Sequence, residues 1–312
     1  MTNRTPQTKK QRQEAARENA RTAREAERKR RHRNRWILQG SVIVVVLAIV
    51  AVVGLVVWNG TRAATSGPLN MLSDGILFTG DGKTATATAT AAIQPGAKPV
   101  ATVPGTDKSV VHVVTYLDDQ CPYCQQFETT NGDQLSKWVT GGIATLEVHP
   151  IAILDNNSQG TRYASRAANA MACVANFDPN NFLKVSTALF TSQPAEGTSG
   201  LDNSKISSIV ALGGAPGADV AKCINDETFK GWVASATTRA RTGPLANTAV
   251  ANVAGTPLIL VNGQKYTGSL TDAAAFYSFV GGIATSAGST TPSPTPSPTP
   301  SPSPTPSPTP SG

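Results

Sequence analysis

With 312 residues the chain is long enough to bury a real core, and a net charge of +7 invites a nucleic-acid reading. The charge distribution removes it. Residues 1–35 hold 13 Lys/Arg and 4 Asp/Glu, a net of +9, whereas the rest of the chain holds 14 and 16, a net of −2. The basic excess thus belongs to the head, and no nucleic-acid partner is expected for the folded part.

In chain order, Gln11 to Arg35 is rich in Ala, Glu and Arg and fits either a helix on anionic lipid or a solvated tail. Residues 37–57 carry no charge. At a helical rise of ~1.5 Å per residue they extend ~30 Å, the thickness of a bilayer core. Trp36 and Trp58 bracket the run like interface anchors. A transmembrane anchor is therefore predicted over 36–58. The head 1–35 is long for a signal peptide, and Arg62-Ala63-Ala64 is a poor cleavage site, so the anchor reads as uncleaved. Lys and Arg beside the span predict a single-pass protein of the cell membrane, with its N-terminus cytoplasmic and residues 59–312 extracytoplasmic. Residues 59–70 read as a linker.

The region 71–285 carries the folding signals. Thr84 to Thr90 alternates Thr and Ala, which suits an edge strand or a spacer. Val110 to Tyr116 reads as a buried central strand, followed by Asp118-Asp119-Gln120 as a polar turn and a helix from Cys121 to about Thr140. Ile143 to Pro150 reads as the next strand. From about 160 to 245 the chain is helical, with breaks at Asp178-Pro179, Gln193–Gly200 and Gly213–Gly217. Leu258–Val261 and Gln264–Thr267 form a hairpin about Asn262-Gly263, and Asp272–Val280 a final amphipathic helix. The tail 286–312 includes ten prolines between Thr291 and Pro310, alternating with Ser or Thr. It can form no core and reads as a polyproline rod of up to ~60 Å, serving as a stalk, a spacer or a disordered tail.

The chemistry is concentrated in Cys121-Pro122-Tyr123-Cys124, at the junction of strand and helix. Pro122 fits the first helical position, where no N–H is needed. Cysteines at i and i+3 on a first helical turn can close a small disulfide ring. The helix N-terminus sets unpaired N–H groups and the positive dipole end beside the first sulfur. That setting lowers a thiol pKa, and the thiolate is the form that attacks disulfides. The alternatives are half of a zinc site or a structural staple. Zinc would need a second close Cys or His pair, and Cys173 and Cys223 lie fifty positions apart with no histidine nearby. No metal and no cofactor are expected. With 121–124 taken as the redox pair, Cys173 and Cys223 remain for a structural bridge suited to an oxidising compartment, or alternatively a second redox pair.

Cys121-Pro-Tyr-Cys-Gln-Gln-Phe-Glu128, with Thr256-Pro257 opening a strand about 130 residues later, resembles the DsbA-like thiol:disulfide oxidoreductases of the thioredoxin superfamily, particularly their membrane-anchored actinobacterial members. The same tetrapeptide occurs in glutaredoxins, but those have little chain between motif and proline, and Thr102-Val103-Pro104 here lies upstream of the cysteines. The resemblance covers roughly residues 70 to 285. It implies an α/β thioredoxin fold with an inserted helical domain, preceded here by one transmembrane helix. It implies a cis-proline at Pro257, with Thr256, packed against the cysteines. It implies Cys121 as nucleophile and exposed sulfur, Cys124 as resolving thiol, and Glu128 as an acidic residue on their helix face; the competing reading of Glu128 is a solvated surface glutamate. His149 reads as a packed or surface residue. The family's buried carboxylate six positions before the first cysteine is replaced by Thr115, leaving proton handling at Cys124 to Glu128, water or another group. Tyr123 cannot supply the positive charge of a histidine, so a moderately oxidising pair is expected. The activity implied is insertion of disulfides into reduced exported proteins, with a quinone-linked membrane partner as reoxidase. A reductase or isomerase, or a non-enzymatic peptide-binding module, are the alternatives.

Overall fold

The computed structural model describes residues 66–288, Lys108 excepted. The head, the anchor, most of the linker and the tail beyond residue 288 lie outside the described residues; residues 286–288 of the expected tail are helical. Among the described residues no helix is long and apolar enough to cross a membrane. Gly67 and Pro68 are already buried, and Gly67 N–H donates to Ile93 O at 2.8 Å, so packing begins upstream of residue 71.

Six strands form one sheet: β1 (Ile76–Gly80), β2 (Ala85–Ala87), β3 (Val111–Leu117), β4 (Ala144–Pro150), β5 (Leu258–Val261) and β6 (Gln264–Lys265), in the order β2-β1-β4-β3-β5-β6. Only β3 and β4 are parallel, in register Val111 with Ala144, and the crossover between them is helix α1 (Pro122–Thr140). The alternating run Thr84–Thr90 contains the edge strand β2. The strand β1 was not predicted, although Ile76-Leu77-Phe78 between two glycines carried the signal. It runs antiparallel between β2 and β4, and at Gly80 it passes so close to α1 that a Cβ would lie 1.8 Å from Val139 O. Only glycine fits that approach.

The period of two along β3 divides the core. Val113 and Leu117 join Cys124, Phe127, Leu135 and Val139 of α1, while Tyr116 joins Ile151, Ala240, Leu258 and Leu260 in a second cluster. Helix α7 (Ala273–Gly288) closes the first layer through Phe276, whose ring stands edge-on to Phe127 with centroids 5.3 Å apart. It runs past the predicted end at Val280.

Between β4 and β5 come five helices: α2 (Tyr163–Phe177), α3 (Phe182–Thr191), α4 (Asn203–Leu212), α5 (Ala218–Asn225) and α6 (Lys230–Thr242). The gaps fall at the predicted Pro and Gly clusters, with one more at 226–229. A disulfide joins Cys173 in α2 to Cys223 in α5. This is an α/β sheet with a helical insertion, and the insertion covers the end of the sheet from which α1 departs.

Candidate active site

Cys121 is the residue before α1. Its backbone is extended (φ −81°, ψ 117°), and Pro122 takes the first helical position, where its missing N–H and fixed φ cost nothing. The N–H groups of Tyr123 and Cys124 therefore have no intrahelical acceptor and are turned toward the Cys121 sulfur.

Cys121 and Cys124 form a reduced dithiol. Cys121 is pulled down to about 6, mainly by the hydrogen bond from the Cys124 thiol; burial opposes, and the Thr256 side chain and the two N–H groups assist. The neighbouring thiol is the largest cause, where the sequence pointed to dipole and backbone alone. Cys124 moves the other way, well above the ordinary thiol range, because it is buried and must share the proton with Cys121. The two sulfurs thus differ in character as nucleophile and resolving thiol require. Cys121 is only 4% exposed, not the open sulfur expected. Its S–H donates to Thr256 O at 3.3 Å, and the Thr256–Pro257 peptide is cis. Pro122 is half-buried, and Tyr123 is 60% exposed beside the cysteines.

The turn Asp118-Asp119-Gln120 is polar in composition but not solvated: all three residues are buried. The insertion covers it, through Gln120 Nε2 donating to Asn157 O at 3.0 Å and Gln193 Nε2 donating to Asp119 O at 2.8 Å. Asp118 lies against the resolving cysteine. Its N–H donates to Cys124 Sγ at 3.5 Å, and its carboxylate accepts from Gln120 N–H and Leu154 N–H, each at 2.9 Å. Burial pushes Asp118 up to about 7 despite those bonds. Asp119 is pushed up to about 8 by burial and by the charges of Asp118 and Glu128. Glu128 is half-buried rather than solvated, and burial raises it to about 7. Thr115 is fully buried with its hydroxyl unpartnered, so the acid absent from that position is found three residues further on. The signal for Asp118 was its place between a buried strand and the motif; composition alone reads it as a turn.

His149 is packed, its ring 4.3 Å from that of Tyr116, and with His112 it faces Glu147 on the strands. These groups lie on β3 and β4, outside the hydrogen-bonded set of the cysteines. Among the described residues no group of three His, Cys, Asp or Glu is placed to hold a metal ion. The Cys173–Cys223 bridge belongs to the insertion.

Residues 98–277 match the family model described as Thioredoxin. The chain belongs to the thioredoxin family. Among solved structures, this thioredoxin-family protein is similar to reduced DsbA from Mycobacterium tuberculosis, with 28% identity over 70% of this chain and 98% of that one, at a TM-score of 0.50. Reduced DsbG, a disulfide bond oxidoreductase of the same organism, shares 29% identity over 70% of this chain and 93% of its own, at a TM-score of 0.49. No curated protein matches the chain. With a thiolate-stabilising Cys-x-x-Cys at the head of α1, this thioredoxin-family protein is a thiol:disulfide oxidoreductase.

Proposed function

We propose that the protein is a membrane-tethered, extracytoplasmic oxidase that introduces disulfides into reduced exported proteins. The observation that carries this reading is the split between the two thiols, Cys121 held low and Cys124 held high. A stabilised thiolate in the reduced form makes the disulfide form the stronger oxidant. The uncharged span 37–57 behind a basic head supports the location, and so does the Cys173–Cys223 bridge, a bond that persists in oxidising compartments.

In the oxidised enzyme, a client thiolate attacks Cys121 Sγ. The Cys121–Cys124 bond breaks, a mixed disulfide forms, and Cys124 departs as a thiolate. A thiolate there is disfavoured by burial and takes up a proton, for which Asp118 is the coupled buried acid. A second client thiolate then attacks the client sulfur of the mixed disulfide. Cys121 leaves as the stabilised thiolate, the client holds the new disulfide, and two electrons remain on the enzyme. A two-electron acceptor must reclaim them, for which this reading takes a quinone-linked membrane partner. Thr256 and Pro257 border Cys121 where the client chain would lie.

The test is the full-length oxidised protein mixed with a reduced, unfolded client, with the redox equilibrium against glutathione read in parallel. Stoichiometric disulfide transfer and an equilibrium more oxidising than thioredoxin are expected. A strongly reducing equilibrium would make it a reductase. Absence of any mixed disulfide with Cys124→Ser would reduce it to a binding module.

A further inference from the structure

Besides Gln120, two glutamines link the insertion to the redox turn and its helix, one from each side. Gln193 stands just after α3, in the loop that the sequence marks only as a helix break. Its side-chain Nε2 donates to Asp119 O at 2.8 Å and to Cys121 O at 3.1 Å, the carbonyls on either side of the segment that delivers Cys121. In return Gln125, on the first turn of α1, donates Nε2 to Phe190 O at 2.7 Å. That same oxygen accepts the Gln193 N–H at 3.3 Å, and Phe190 itself is buried. Pro194 follows and restricts the Gln193 backbone to extended geometry.

We propose that Gln193 is a positioning residue for the redox pair: through its side-chain amide the helical insertion holds the turn that carries Cys121 and tunes the redox balance of the two cysteines. The physical reason lies in the carbonyls. A carbonyl oxygen is the negative end of its dipole and disfavours a neighbouring thiolate. Pairing the Asp119 and Cys121 oxygens to one amide fixes them toward α3, and brings an N–H group, the positive end of a dipole, beside the turn. Cys121 O already accepts the Gln125 backbone N–H at 3.1 Å, so Gln193 supplies a second donor that the helix does not need for its own hydrogen bonding. Gln193 touches no reacting atom and acts only through this backbone.

The experiment titrates Cys121 by thiolate absorbance in full-length Gln193→Ala, Gln193→Met and Gln125→Ala, with the glutathione equilibrium and Tm measured on each. Gln193→Ala is expected to raise the Cys121 pKa by about half a unit and make the protein about two- to threefold less oxidising at neutral pH. Gln193→Met keeps the length with neither donor nor charge, and should shift both quantities about as far; it also carries the reading if the alanine variant fails to fold. Gln125→Ala should lower Tm yet leave the titration nearly unmoved, since both carbonyls stay paired. If both Gln193 variants fold with the parental titration, the glutamine is packing only and the proposal falls. It also falls if Gln125→Ala shifts the titration as far as Gln193→Ala, because docking of the insertion, not the amide, then sets the balance. These readouts do not depend on the direction of exchange, so failure of the oxidase reading would leave them intact, and the reverse holds too.

Discussion

At the scale of single residues, chemistry turns on what faces each sulfur. Tyr123 gives the Cys121 thiolate a backbone N–H but no charge from its exposed side chain. Tyr123→His should therefore lower the Cys121 pKa and make the pair more oxidising by about 30 mV, equivalent to ~1.4 kcal/mol for a two-electron couple. Thiolate absorbance and glutathione equilibration measure both, and a variant unchanged in both would shift control of the potential to Thr256. Asp118 supplies the second test. If its protonated carboxyl serves Cys124 as the thiolate leaves, that contribution declines as pH rises through about 7. Asp118→Asn should remove this inflection from the rate of mixed-disulfide formation and slow the step about 10-fold or more. An inflection that persists in the variant assigns the proton elsewhere. The cysteines, Thr256 and Pro257 were legible because their residue types allow few alternatives at that spacing. Asp118 was not, since an aspartate before a helix reads as turn or cap whether wet or buried, and only the packed insertion decides which.

At the scale of elements, glycine, proline and apolar runs announced most of the fold. β3, α1, β4 and the hairpin were readable because buried strands and an N-terminal proline leave strong local marks. β1 was missed because its short apolar run had no adjoining motif or tight turn to mark it, and α7 runs past Val280 because Gly281-Gly282 is carried within the helix. The α2–α5 bridge offers a test at this scale. It closes fifty residues, which in the chain-entropy model stabilises the fold by ~4 kcal/mol. Cys173→Ser should lower Tm by about 10 °C for a domain of this size, with exchange at Cys121 largely kept. A folded variant that has lost all exchange activity would turn the bridge from a staple into an electron relay.

At the scale of the whole molecule, two sets of buried carboxylates pull stability in opposite directions along the pH axis. Asp118, Asp119 and Glu128 sit around the redox turn with folded pKa values of about 7, 8 and 7, against about 4 in an unfolded chain. Their folded pKa is raised, so the native state is favoured below about pH 4 and progressively loses that advantage up to pH 7–8. Glu147 does the reverse in the middle of β4, opposite Val114 of β3. Burial opposes its charge, but bonds from His112, His149 and Ser73 hold it well below the usual carboxylate range; Ser73 Oγ lies 2.5 Å away and His149 Nε2 3.2 Å. Its contribution is complete above its unfolded pKa of about 4 and is lost as pH falls below that. Tyr116, stacked on His149, and the Asp74–Arg239 pair complete the groups facing this cluster. Together the four carboxylates place the stability maximum on the acidic side, near pH ~4. A Tm series from pH 3 to 9 on the full-length protein should show that maximum. Asp119→Asn should raise Tm at pH 8 and leave it unchanged at pH 4, moving the maximum upward. Glu147→Gln should lower Tm at neutral pH, because it weakens the acceptor of the bonds from His112, His149 and Ser73, and should flatten the acid limb. A wild-type maximum above pH 7, or an Asp119→Asn variant stabilised equally at pH 4 and pH 8, would show that the acids of the redox turn are not held neutral by burial.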